Sequence, residues 1–580
     1  MVSWNLEHIY PLKNTNKLIS ELSKKVNSFQ MLRSKLNPAI SDSEFLKILK
    51  TSEDIKIISS KLNAYAELWL SEKTADSKRI SHSSRIDETI ADASNKTMFL
   101  SLWFKELDDK NAQRLISSSG KYHYLLEMIR KFKPYTLKEK EEQVITLKSL
   151  TGANAVEGIY DIVSNRFLFD WEGKKKAQDE VIGFFRNSSP KVRKKAYNLV
   201  LSRYGEEESV LGEIYRIIVN DWKNENIKIR GFSSPISSRN LDNDIPKKAV
   251  DALLSVIQKN RNVFHEYFKL KAKICRIKSM TRYDIYAPFS SIEKNYPYEE
   301  CKEFVLDTYR KFDERAYRFA KQIFDEKHVH SDIVPQKRSG AFCQSIVNNM
   351  APYILLNHTG KERDLFTMMH EFGHGIHSLA AKEQTVFTFH SSIPMAETAS
   401  IFGEMLLMQR LLRESEKEKK VALLMSSLDN QYASIMRQAY FVIFEIKAHD
   451  MIAKGATIED LNKAYHSLLK EQFGSSISVP DVFKHEWKYI PHIYHSPFYC
   501  YAYAFGNLLV LALYTMYKKE GKAFVDKYLK ILSYGGSESP SDILMEVGID
   551  ITKESFWQQG FEVIKEELRE LKALAESKSI

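Results

Sequence analysis

Residues 362–378 read ERDLFTMMHEFGHGIHS, with two histidines, His370 and His374, four positions apart. The apolar residues Leu365, Phe366, Met368, Met369 and Phe372 around them give this stretch the pattern of a largely buried helix. Positions four apart on a helix lie about 40° apart on one face, so both imidazoles reach a single ion. Glu371 is turned about 100° from His370, where it sits beside the ion and takes a proton from water without being a ligand. This is the HExxH pattern of zinc peptidases. The competing reading is a helix with two surface histidines and an exposed glutamate. The apolar flanks oppose it, because buried imidazoles need polar partners and an ion is one.

A third ligand should follow. Ala380 stands where a metzincin needs histidine, which removes that class. Glu397, in PMAETAS (394–400), lies 23 positions after His374, in a helix that proline starts well. Glu404 is two turns further on the same face. Glu397 is expected as the ligand and Glu404 as acceptor for the free N–H of a ligand histidine, with the reverse assignment open. His377, one turn past His374, ligates only if the helix bends and is expected to line the pocket as a substrate contact; His390 is a weaker candidate of that kind. Three protein ligands leave one position open for water, whose pKa zinc lowers toward ~7. One Zn2+ per chain is the expected cofactor, since two histidines and a glutamate with an open site suit zinc best.

A second constellation is PHIYHSPFYCYAYAFG at 491–506, with two histidines and four tyrosines. On a helix Tyr499 and Tyr503 share a face. Phenol O–H and imidazole N–H groups are the donors an amide hydrolase aims at its oxyanion. His495, Tyr499 and Tyr503 are therefore the catalytic candidates here, with His492 and Tyr494 as substrate contacts and Phe498 and Phe505 as packing. Which tyrosine donates is left open.

The rest of the chain is consistent with a helical frame. Of 580 residues only 21 are glycine and 15 proline, about half the usual frequencies, which favours long helices over turn-rich β folds. Separate helices are expected over Asp42–Lys50 and Ile55–Glu72. A helical stretch over 111–180 should break near Pro134, Gly152 and Gly158, and a helix should start at Ser189-Pro190. Residues 336–358 read as a short strand or two. The expected division is an N-terminal helical region, 1–188, covering a substrate channel, and a catalytic domain, 189–580.

The first residues carry no signal-peptide pattern, and the longest apolar run, Leu508–Tyr514, is far below the ~20 residues of a bilayer span. Four scattered cysteines suggest neither a disulfide framework nor a zinc ribbon. A cytoplasmic protein that does not bind membranes is expected. A net charge of +10, with its lysine clusters interleaved with acids, does not amount to a nucleic-acid site.

HEFGHGIHS, AETASIFGE and HIYHSPFYCYAYAFG, in that order and spacing, resemble the oligoendopeptidase F branch of the thimet oligopeptidase family of zinc peptidases. WNLEHIYP near the start, RGFSSPISSR (230–239), YDIYAP (283–288), SGAFCQ and PYILLNHTGKERDLFTMM extend the resemblance over most of the chain. It implies a mainly α, prolate fold with a small β-sheet beside the HExxH helix and a deep central channel. The channel admits short unfolded peptides, so the implied activity is zinc-dependent hydrolysis of their internal bonds. By the same resemblance the ligands are His370, His374 and Glu397, the base is Glu371, and His495 with Tyr499 or Tyr503 serve the transition state. Gly340 and Ala341 are implied to line the substrate backbone. The rival readings are a zinc carboxypeptidase or dipeptidase on a related scaffold, and a catalytically silent peptide-binding protein. Neither monomer nor homo-oligomer is favoured.

Overall fold

The computed structural model describes residues 3–289 and 294–577. Helices form where a polar cap meets an apolar face. The Ser41 hydroxyl accepts from the Glu44 N–H and starts Asp42–Glu72, and Asp108 accepts from the Asn111 N–H and starts Asp109–Ser118. The two helices expected over 42–72 are one. Thr51 turns its hydroxyl onto the Lys47 carbonyl (2.8 Å), so the polar step that suggested a break is accommodated inside the helix. The chain does break at Gly152, between Glu139–Thr151 and Ala153–Asn165, but it runs helically through Gly158. Pro190 opens the helix Pro190–Glu206 as expected.

Five short strands occur among the described residues. β1 (Phe169–Trp171) and β2 (Lys174–Lys176) form an antiparallel hairpin, absent from the sequence expectations. Its two turn residues, Glu172 (φ 55°) and Gly173 (φ 80°), are both left-handed, the requirement of a type I′ turn matched to strand twist. β3 (Val329–His330), β4 (Phe342–Gln344) and β5 (Tyr353–Leu355) form a second sheet in the order β3-β5-β4. β5 is fully buried, parallel to β3 and antiparallel to β4, with Ile354 opposite both Val329 and Cys343. β4 is an edge strand. These are the strands anticipated within 336–358, together with β3 just before them.

Contacts divide the chain into two units. The first comprises Met1–Pro134, Glu293–Arg410 and Met516–Ile549; the second comprises Tyr135–Ile292, Leu411–Thr515 and Asp550–Ile580. Neither has a boundary at 188/189. In the first unit one apolar core joins Leu22, Phe29, Phe45 and Leu62 of the N-terminal helices to Tyr353 and Leu355 of β5 and to Phe389. In the second, helices pack around buried ion pairs. Lys271 lies 2.6 Å from Asp429, which also accepts from the Tyr267 hydroxyl, and Arg282 lies 2.6 Å from Glu486. Among the described residues no helix is long and apolar enough to cross a membrane, and no cysteine is in a disulfide.

Candidate metal centre

The motif forms one helix, Glu362–Ala380. Asp364 fixes its start, its Oδ2 accepting from the Thr359 N–H (2.6 Å), the Thr359 hydroxyl (2.7 Å) and the Lys361 N–H (3.0 Å). Leu365, Met368, Met369 and Phe372 are wholly buried, as the apolar pattern required. The helix lies against Thr398–Glu414 at Gly373. A Cβ on Gly373 would collide with the Ser400 Cα and come within 2.5 Å of the Ala399 carbonyl oxygen. Only glycine allows this backbone approach, which draws the second helix in beside the histidines.

Glu397 sits at the junction between the short helix Ile393–Ala396, opened by Pro394, and Thr398–Glu414. Its Oε2 lies 3.3 Å from His370 Nε2 and 3.5 Å from His374 Nε2. One donor atom from each of these three residues falls within 4.8 Å of the others. His370 Nδ1 meets Glu404 Oε1 at 2.5 Å, which holds a ring proton on Nδ1 and turns Nε2 toward Glu397. The Ser400 hydroxyl donates to Glu397 Oε2 at 2.7 Å and steadies the carboxylate. Ser400 was not anticipated, although it stands one helical turn after Glu397, where such a donor is expected.

Two carboxylates, Glu397 and Glu404, set the electrostatics around His370. Burial pulls the His370 pKa down, but its hydrogen bonds to Glu397 and Glu404 outweigh this and hold it up at about 10. Burial raises the Glu397 carboxyl, yet His370 and His374 carry it down to about 2. Two imidazole nitrogens and a carboxylate oxygen, converging around one point and half open to a cavity, suit a zinc-class divalent ion.

That cavity holds about 410 Å³. Glu371, 7% exposed, lines it beside the histidines, and burial pushes its carboxyl up to about 7. His377 and His390 line it too; burial takes His377 down to about 4. Ala341, Phe342 and Cys343 bring the β4 edge to the cavity wall. Gly340 precedes them at φ 80°, its carbonyl accepting from the Asn357 amide at 2.8 Å. Gly535 and Gly536, unremarked in sequence, back the His390 segment. A Cβ on Gly535 would lie 2.5 Å from the Phe389 carbonyl oxygen, and the Gly536 N–H donates to the Thr388 carbonyl at 2.8 Å.

The aromatic segment belongs to the second unit. It forms Pro491–His495, a turn, and the start of Tyr501–Glu520. Tyr499 therefore precedes the helix instead of sharing its face with Tyr503. Phe498 takes φ 60° in the turn, its N–H held by Glu445 Oε1 at 2.8 Å. The Tyr499 and Tyr503 rings still meet, 5.3 Å apart, and the Tyr503 hydroxyl lies 3.2 Å from His492 Nε2. His495 is exposed, with Nε2 3.0 Å from Asp161 Oδ1. Tyr494 departs from the expected substrate contact: it is wholly buried and stacked on Tyr160 at 3.9 Å, a core residue. Tyr501 and Phe505 are core as well, the latter against Trp557.

Residues 184–563 match the sequence model of peptidase family M3, and 103–169 match that of the oligopeptidase F N-terminal region. The chain belongs to peptidase family M3. Within family M3 it falls in the oligoendopeptidase F branch. It is 27% identical to oligopeptidase PepF of Bacillus subtilis, over 99% of this chain and 87% of that one. It is 30% identical to an oligoendopeptidase F homologue of Borreliella burgdorferi, over 83% of each. Among solved structures, a protein from Chlamydophila abortus shares the fold at a TM-score of 0.88 (24% identity, 99% and 98% of the chains covered). Oligoendopeptidase F of Enterococcus faecium shares it at 0.71 (19%, 98% and 99%).

Proposed function

We propose that this M3 peptidase is a zinc-dependent oligoendopeptidase that hydrolyses internal bonds of short, unfolded peptides. The observation that carries the reading is the convergence of His370, His374 and Glu397 around one point, with Glu371 buried at the wall of the same cavity. The names of the relatives support the substrate class. In this proposal His370 Nε2, His374 Nε2 and a Glu397 oxygen hold one Zn2+. When bound there, the ion acts as a Lewis acid that acidifies water and polarises a peptide carbonyl.

The chain's own groups do the rest. Glu404 keeps the His370 proton on Nδ1, and Ser400 holds the Glu397 carboxylate. Glu371 takes the proton of the attacking water on a carboxylate oxygen and gives it to the leaving amine nitrogen. The O–H groups of Tyr499 and Tyr503 and the N–H of His495 are proposed to donate to the oxyanion, with Asp161 accepting from His495 to orient its ring. The β4 edge, with Gly340 and Ala341 at its start, offers backbone groups to an extended peptide. His377, His390 and His492 complete the proposed substrate contacts. The four unpaired cysteines suit a reducing compartment, and action in the cytoplasm is part of the proposal.

An end-blocked nonapeptide should be cut internally, as read by mass spectrometry of the products. Cleavage should stop in chelator and return with added zinc. Release of terminal residues alone, or full activity after verified metal loss, would overturn the reading. Glu404→Ala should weaken zinc binding roughly 10–100-fold, measured by competition with a chromophoric chelator. An unchanged affinity would remove Glu404 from the centre.

A further inference from the structure

A second group of ligand-type side chains lies elsewhere in the first unit. His8 ends a short 3-10 helix, Leu6–His8, and faces Glu326 and His328, which precede β3. His8 Nδ1 lies 3.0 Å from His328 Nε2, and His328 Nε2 lies 3.7 Å from Glu326 Oε2. One donor atom from each of the three falls within 4.8 Å of the others, as in the HExxH cluster. His328 is buried, Glu326 half-buried and His8 exposed, so the group is rooted in the core yet open to ions from solvent.

The hydrogen bonds around His328 prepare it as a ligand. Its Nδ1 faces the Ala351 carbonyl oxygen at 2.9 Å, which requires the proton on Nδ1 and leaves a lone pair on Nε2. A histidine held in one tautomer by a carbonyl behind it is the usual arrangement of a metal-binding imidazole. The ring is further fixed by stacking on Tyr353 at 3.9 Å. The nearby backbone is rigid as well. The Asn5 N–H donates to the Lys327 carbonyl at 3.0 Å, and the Tyr353 hydroxyl donates to the Asn5 carbonyl at 2.8 Å.

The geometry points to a second divalent-cation site formed by His8 Nδ1, His328 Nε2 and Glu326, of zinc-class specificity and separate from the HExxH centre. Two imidazoles and a carboxylate select zinc or a neighbouring transition ion over calcium or magnesium. Asn5 Oδ1 accepts from the Glu7 N–H at 3.1 Å, so its Nδ2 faces His8 Nε2 and sets the His8 proton on Nδ1, toward His328. A cation takes the place of that proton. The His8 proton moves to Nε2 and the Asn5 amide turns to accept it, releasing the Glu7 N–H to solvent, so ligation needs no net proton release from His8. An ion there ties the N-terminal segment to the start of β3, at the edge of the sheet whose central strand, β5, precedes the motif helix.

The test uses the full-length chain, stripped with chelator and dialysed against buffered free Zn2+, with bound metal measured by elemental analysis. Wild type should bind about two ions per chain, and His8→Ala/Glu326→Gln about one, with peptidase activity retained. Both changes spare the buried His328, so the fold is kept. His370→Ala should also bind about one, but inactively, which separates this site from the catalytic reading. Zinc should raise the melting temperature of His370→Ala, and adding the His8 and Glu326 changes should remove that rise. A wild-type stoichiometry that His8→Ala/Glu326→Gln leaves unchanged would overturn the proposal.

Discussion

Glu371→Gln is expected to remove most turnover while leaving zinc in place. The amide has nearly the same shape as the carboxylate, so the helix and the cavity wall keep their packing. The neutral amide cannot take a proton from water or return one to the leaving amine. General acid–base catalysis contributes about 10²–10⁴-fold, so kcat should fall by that factor, about 2.7–5.4 kcal/mol in barrier height, with KM little changed. Glu371 is buried, and burial favours its neutral form, so the amide imposes no new desolvation cost and the melting temperature should not fall. Wild-type rates in this variant, with zinc content confirmed, would remove Glu371 from its role.

Glu397→Ala should act one step earlier, on possession of the ion. It deletes the oxygen that lies 3.3 Å from His370 Nε2 and 3.5 Å from His374 Nε2, leaving two ligand histidines. Dialysed protein should then carry little zinc. At limiting zinc, kcat/KM should fall on the order of 10³-fold or more, because a zinc ion held there would bring the water's pKa from 15.7 to about 7. Excess zinc should restore part of the rate, as it cannot for Glu371→Gln. Retained zinc in Glu397→Ala, with loss in Glu404→Ala, would exchange the roles of the two glutamates.

The candidate ligand group could be proposed from sequence because its residues are local: one helix carries the histidines, and the start of the next is flanked by the glutamates. His370, Glu371 and His374 follow from helical angles, and Glu397 and Glu404 from a two-turn spacing beginning near a proline. Tyr494 was not legible. Its neighbours His492 and His495 are accessible, and only the stacking on Tyr160, more than three hundred positions away, makes it core. The β1–β2 hairpin was hidden because Lys174–Lys176 reads as a charged surface run, although Glu172-Gly173 carries the turn chemistry. Gly535 and Gly536 were silent for another reason: what they touch, the 388–390 segment, lies far away in sequence. The division into units was invisible for the same cause. Long-range packing, not composition, decides that residues 1–134 share a core with β5 and Phe389.

That shared core sets an order of events during synthesis. The N-terminal helices emerge from the ribosome first, yet the strand they cover and the glycine pair behind His390 are made much later. At about 5–20 residues per second, the helices wait roughly 20–80 s for residues 516–549 to complete their unit. For roughly the first 11–44 s of that interval, at about 5–20 residues per second, Phe29, Phe45 and Leu62 have no β5 in their core, which makes the nascent chain a substrate for chaperones that hold apolar helices. Slowing translation after residue 134 should therefore lower the yield of active enzyme more than slowing it after residue 549.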